Sequence, residues 1–214
     1  MTKAEKMEMF HRDNIANAAE RLFSIKGIEK TSMDQISKEA DYSKSTIYVY
    51  FKNKDEIILY LVLRGMKEIN ISIGEIVNTE NTEIEKYNQI CKVLADLYEK
   101  SPFIFSRMMD SIEVEEGKRA SMPLLDAIYQ EGEDITKKIA DLLQSGEKKR
   151  LFSIQEDHSQ VGFVLWMMLA GIIMLSDKKQ KYIELRFKKD RNSFLYDSFQ
   201  LILNIIKQEC LKDT

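Results

Sequence analysis

Two prolines and eight glycines in 214 residues leave few places where a helix is forced to break. Strand signals are weak throughout, so a composition of 44% apolar and 31% charged residues points to a soluble, mostly helical chain. Cysteine is nearly absent. Cys91 and Cys210 stand alone, with no CxxC spacing and no histidine cluster beside them, which fits a reducing cytoplasm. The two histidines, His11 and His158, have no acidic or cysteine neighbours at metal-ligand spacing, so no metal site is expected. No nucleophile stands with its base, and no glycine-rich loop could cradle a phosphate. Neither an enzyme nor a cofactor is expected.

Net charge is also small, −3, which argues against a chain that coats nucleic acid without specificity. The charge is uneven: residues 1 to 65 hold 11 Lys+Arg against 10 Asp+Glu, or +1, and the remainder 21 against 25, or −4. A basic face on a small module can bind phosphate without making the whole chain basic. The N-terminus, MTKAEKMEMF, lacks the apolar segment of a signal peptide and reads as a polar tail through Met9. Val161 to Leu175 is free of charge, yet as a helix it spans about 22 Å against a hydrocarbon core of roughly 30 Å. It is expected to be a buried helix, and no membrane is expected as a partner.

One stretch organises what is present: Thr31 to Asp55, TSMDQISKEADYSKSTIYVYFKNKD. Ser32 with Gln35 three positions on makes a capping-box pattern, and Met33, Ile36 and Ala40 form the inward side of a short helix. Asp41, Tyr42 and Ser43 break the periodicity. Ser43 can cap a second helix, Lys44 to Phe51, in which Ile47, Tyr50 and Phe51 recur at i, i+3 and i+4. Two short helices joined by a tight turn read as a helix-turn-helix, a geometry that carries the second helix into the DNA major groove.

The run Ile36, Ala40, Ser43, Lys44, Thr46, Ile47, Tyr48, Tyr50, Phe51, Lys54, Asp55 and Glu56 resembles the N-terminal signature of the TetR family of bacterial transcriptional regulators. The departures are Ser37 for alanine, Asp41 for glycine, Tyr42 for a small aliphatic residue, Ser45 for glycine and Val49 for histidine or tyrosine. Asp tolerates the left-handed conformation of a turn glycine, so the turn survives. The resemblance in detail covers roughly residues 10 to 60.

Along the rest of the chain, helical spacing predicts segments over Phe10 to Lys26, Asn53 to about Val77, Ile84 to Lys100, Phe103 to Ile112, Leu124 to Gln144 (ending near Gly146), Glu156 to Ser176 and Asn192 to Lys212. Glu113 to Pro123 and the lysine-rich Asp177 to Arg191 read as loops. The expected architecture is all-α, with about nine helices: a helix-turn-helix domain over 8–53, then a ligand-binding and dimerisation domain over 54–214.

By resemblance, Thr31, Ser43, Tyr48 and Lys54 are phosphate contacts, and Lys44, Ser45, Thr46 and Val49 lie nearest the base edges. Phe103, Phe105, Met108, Met109, Tyr129, Trp166, Met167, Met168 and Met174 concentrate aromatic and thioether groups that suit an apolar or cationic aromatic ligand. The last helix carries two apolar stripes about 100° apart, Leu195, Phe199, Ile202 and Ile206 on one and Phe194, Leu201 and Ile205 on the other. That arc exceeds what one core contact needs. Phe194, Leu201 and Ile205, with Trp166, are therefore the candidates for a four-helix homodimer interface, as the resemblance implies. The expected function is a cytoplasmic DNA-binding regulator, a repressor released from double-stranded operator DNA by a small, largely apolar effector. The alternatives are an activator of the same fold, or a helical adaptor or enzyme with a vestigial DNA-binding head.

Overall fold

The computed structural model describes residues 2–110, 112–113 and 115–207. Among them are eleven α-helices and no strand beyond an isolated antiparallel bridge between Phe152 and Lys207. They fall into two compact units, residues 1–66 with 103–130 and residues 67–102 with 131–214.

Helix α1, Lys3–Lys26, opens the first unit. The sequence predicts a polar tail before Phe10, and the structure corrects this. Thr2 accepts from the Glu5 N–H at 3.2 Å while Glu5 accepts from the Thr2 N–H at 2.9 Å, a reciprocal cap that lets the helix start seven residues early even though its first two turns bury nothing. Gly27, at φ 82°, ends it as expected. The buried face of α1, Ile15, Ala16, Ala19, Leu22 and Phe23, packs with Ile36 of α2 (Met33–Glu39), Ile47 of α3 (Lys44–Tyr50) and Ile57 and Leu61 of α4 (Lys54–Val77). Ile104 of α6 (Pro102–Arg107) closes this core. α6 comes so near α4 that a Cβ on Gly65 would lie 2.8 Å from Ile104 Cγ2.

Two segments expected to be loops contain helices. α7 occupies Glu116–Ser121, inside the charged run, and α10 occupies Gln180–Phe187, inside the lysine-rich run. In α10 only Ile183 is buried, so a single inward residue among cations gave the periodicity nothing to register. The count is accordingly eleven among the described residues and not nine.

The second unit is built from α5 (Glu83–Lys100), α9 (His158–Lys178), α10 and α11 (Arg191–Ile206), with the later parts of α4 and of α8 (Pro123–Lys148). α11 packs on α9, α5 and α10. Its stripe Leu195, Phe199, Ile202 and Ile206 is buried, while Leu201 and Ile205 are 68% and 67% exposed. The expectation that α11 runs on to Lys212, and the surroundings of Cys210, lie outside the described residues. Gly146, read from sequence as a stop, sits within α8, which continues to Lys148; the left-handed residue is Arg150 at φ 57°.

α9 was expected to be buried, and is so on one side only. Gly162, Leu165, Leu169, Ala170 and Ile173 face inward, while Phe163, Val164, Met167 and Leu175 are exposed. Among the described residues α9 is the one helix long and apolar enough to cross a membrane by length and composition.

Candidate nucleic-acid interface

The site is made by α2, the turn after it and α3. Ser32 and Gln35 form the expected reciprocal cap on α2. Asp41 then takes the left-handed conformation at φ 59°, and Tyr42 N–H returns to the Ser37 carbonyl at 2.9 Å. Ser43 caps α3 by accepting from the Thr46 N–H at 3.1 Å. Its Oγ also lies 2.8 Å from Ser45 Oγ and 2.7 Å from Thr46 Oγ1, so three hydroxyls cluster at the start of the helix. Ile47 and the C-cap Phe51 are buried. That burial turns Lys44, Ser45, Tyr48 and Val49 outward, Val49 to 78% exposure.

Six of the eight sequence-predicted DNA residues therefore share one helix and its cap. The other two stand differently. Thr31 is 2% exposed and donates its hydroxyl to the Gly27 carbonyl at 2.9 Å, bracing the corner between α1 and α2. Lys54 opens α4 and donates to the Ile28 carbonyl at 2.7 Å, with Asn53 capping the same turn through the Glu56 N–H at 2.9 Å. Lys44 pairs with Asp34 of α2 at 2.7 Å, and that hydrogen bond and the carboxylate's charge raise its pKa. An outward helix carrying hydroxyls, a phenol and a cation has the donors that phosphate oxygens and base edges accept.

Sequence reasoning missed the braces behind this helix. Arg12 stacks over the rings of Phe51 and Tyr60, 4.7 and 5.0 Å from their centroids. Arg64 of α4 reaches three groups on α1: Asp13 at 3.4 Å, Asn17 at 2.7 Å and Glu20 at 3.2 Å. Tyr60 donates to Asp13 at 2.9 Å, and burial together with that bond pushes its pKa up to about 12. The hydrogen-bonded pairs among these are 44 to 51 residues apart, beyond any local pattern.

Residues 15–61 match the family described as bacterial regulatory proteins, tetR family. The match covers the helix-turn-helix module and no more of the chain. An HTH-type transcriptional regulator of Haemophilus influenzae is 29% identical over 96 residues, 45% of this chain and about half, 51%, of that relative. Two solved structures share the fold over almost the whole chain. The fatty acid degradation regulator FadR from Bacillus halodurans has a TM-score of 0.70 at 19% identity, covering 90% of this chain and 94% of that one. SmeT, solved as a triclosan complex, has a TM-score of 0.65 at 17% identity, covering 93% and 92%.

The candidate ligand residues divide between the units. Phe103, Phe105, Met108, Met109 and Tyr129 belong to the first, Trp166 and Met174 to the second. Phe105 is fully buried, Phe103 leans on Phe23 with ring centroids 5.5 Å apart, and Tyr129 lies under the Arg119 guanidinium at 3.7 Å. Of the interface candidates, Leu201 and Ile205 are exposed, Trp166 is half-buried, and the half-buried Phe194 rests on Phe187 at 5.6 Å.

Proposed function

We propose that this chain is a homodimeric, cytoplasmic repressor, not an enzyme, that binds double-stranded operator DNA and leaves it when a small, largely apolar ligand binds. The observation that carries the reading is α3: a capped helix anchored by Ile47 and Phe51 and presenting Lys44, Ser45, Tyr48 and Val49 outward, with Thr46 half-buried beside them. Residues 8–53 form the DNA-binding domain and 54–214 the ligand-binding and dimerisation domain.

The homodimer is supported by two exposed apolar helix faces in the second unit. On α9 the face holds Phe163, Val164, Met167 and Leu175 around Gly171, where a Cβ would meet nothing within 4 Å. On α11 it holds Leu201 and Ile205. Contiguous apolar surface of this kind favours a partner, and a symmetric pair of helices from each copy would cover both faces. Such a dimer would place two α3 helices roughly 34 to 36 Å apart, in successive major grooves of a pseudo-palindrome. The triclosan bound to SmeT supports an apolar aromatic effector here.

Selection of duplexes from a random-sequence library tests the reading. The expected product is a two-half-site sequence bound by a dimer. A library that stays unenriched after repeated rounds, with protein that remains folded, would refute it.

A further inference from the structure

The half-buried imidazole of His11, on α1, touches the turn that leads into α3 and the last residue of α3. Its Nδ1 is 2.6 Å from the hydroxyl of Tyr42, the residue before the Ser43 cap. The two rings meet edge to face, centroids 5.6 Å apart at 84°. The same imidazole lies against Tyr50, the last residue of α3, with centroids 5.3 Å apart at 34°. Phe10 covers it from a third side at 5.7 Å.

α3 is seven residues long, too short to hold its own orientation by backbone hydrogen bonds. Ile47 and Phe51 fix its depth in the core, but two apolar anchors leave a rocking freedom about the line that joins them. The turn is tied by backbone only to α2, through Tyr42 N–H to Ser37. A directional hydrogen bond at one end and a ring contact at the other, both to one rigid ring on a third helix, remove that freedom. Small rotations matter here, because Lys44, Ser45 and Val49 must meet base edges within hydrogen-bonding and van der Waals tolerance.

We infer that His11 and Tyr42 are positioning residues for operator recognition: the pair sets the orientation of α3 and so contributes to sequence discrimination without itself contacting bases. The inference rests on the DNA-binding reading of α3. An apolar residue of similar size at either position would keep the fold and lose the alignment.

Tyr42→Phe removes one hydroxyl, and His11→Phe keeps a ring but no nitrogen. Each should lower affinity for a duplex selected with the wild-type protein by about 3- to 10-fold, the usual scale of one hydrogen bond. Affinity for a random-sequence duplex should fall much less, and the slope of log affinity against log salt should not change, because no cationic phosphate contact is removed. The double variant should be no weaker than either single one, since both break the same bond. His11→Asn, whose amide can occupy the Nδ1 position, should recover part of the loss, and thermal unfolding monitored in parallel should show all variants folded at the assay temperature. Equal losses on selected and random duplexes, no loss in either single variant, or additive losses in the double would overturn the inference. A wild-type protein that selects no duplex would instead overturn the DNA-binding reading beneath it.

Discussion

The ring of Phe152 lies directly against the backbone of Gly146: a Cβ built on that glycine would sit 2.1 Å from Phe152 Cδ2 and 2.4 Å from Cε2. Phe152 is buried, and its N–H and that of Leu151 both turn back to the Gly146 carbonyl, at 3.3 and 2.8 Å. The chain leaving α8 is thus folded over a helical position without a side chain. Ser153 then bonds to Ile206 at the end of α11, so the same contact aligns the start of the segment that leads to α9. Gly146→Ala should cost about 3 kcal/mol, the upper range for overpacking, although alanine is the better helix former. Denaturant unfolding of the two proteins measures this, and a variant as stable as wild type would show that Phe152 can move aside freely.

Glu83 is a buried carboxylate, 1% exposed, that accepts from Lys149 at 2.6 Å and Ser145 at 2.8 Å. Burial alone would raise its pKa, but these hydrogen bonds and the Lys149 charge outweigh it, and the value falls below the ordinary 4.5. A depressed folded pKa contributes stability that is complete above the unfolded value and disappears as pH falls through the folded one. Glu83→Gln should therefore be less stable than wild type at pH 7 by about 1.5 kcal/mol, the lower range for a charged hydrogen bond because Lys149 is largely solvated. The gap should close as the pH is lowered below 4.5. A constant gap from pH 7 to pH 3 would mean that the carboxylate's charge is not what the site uses.

How much of this was legible in sequence depended on the range of the interaction. Ser32, Gln35 and Ser43 act within three residues, so α2 and α3 could be read directly, and the outward set on α3 followed from Ile47 and Phe51. The two stripes of α11 were readable as a pattern, but only packing decides that Leu195 and Phe199 face inward and Leu201 and Ile205 outward. The imidazole between Tyr42 and Tyr50 comes from 31 residues upstream of Tyr42, and no local periodicity reports such a contact. Gly146 misled for a related reason. A glycine in a helix reads as a stop, whereas here it makes room for a ring six residues on.

Assembly can be tested on α11 by placing one charge on each stripe. Asp at Ile205 would be solvated in an isolated protomer, where that side chain is exposed, but buried without a partner charge if a second copy covers it. Ile205→Asp should therefore sediment as a monomer with its helicity intact. Phe199→Asp, on the buried stripe and beside the hydrogen bond from the Tyr87 hydroxyl to the Phe199 carbonyl, should unfold the second unit. A wild-type protein that sediments as a monomer at micromolar concentration would remove the basis of the Ile205 prediction.

Lys54 carries three ammonium donors and spends one on the Ile28 carbonyl, which holds it in place with two remaining. Lys54→Ala should weaken binding to selected and random duplexes alike and reduce the salt slope by about one unit. Thr31→Val should behave differently: its hydroxyl is committed to Gly27 and its side chain is buried, so stability should fall with the salt slope unchanged. Substitutions at Thr46 and Val49 should shift which sequence is preferred. If Lys54→Ala left affinity and slope both at wild-type values, α4 would not begin at a phosphate.

In the proposed function, release by ligand would act through α4, one continuous helix with Lys54 in its first turn and Ile69 and Ile73 buried in the second unit. A ligand that prefers one inclination of this helix over another would change the separation of the two α3 helices in a dimer, by no more than its differential affinity for the two states. The coupling expected is about 1 to 3 kcal/mol, or roughly 5- to 150-fold in operator affinity. Linkage makes the effect reciprocal, so the selected duplex must weaken ligand binding by the same factor. Trp166 is the only tryptophan and is half-buried on α9, so its fluorescence can report binding from small apolar and cationic aromatic compounds without a label. Titrating the best binder with and without a saturating concentration of the selected duplex, then the duplex with and without the binder, gives the factor twice. Two equal factors above about 5 would place the ligand and the DNA on the same conformational equilibrium. Identical ligand affinity in the presence and absence of duplex would show that this compound occupies a site α4 does not couple to the DNA.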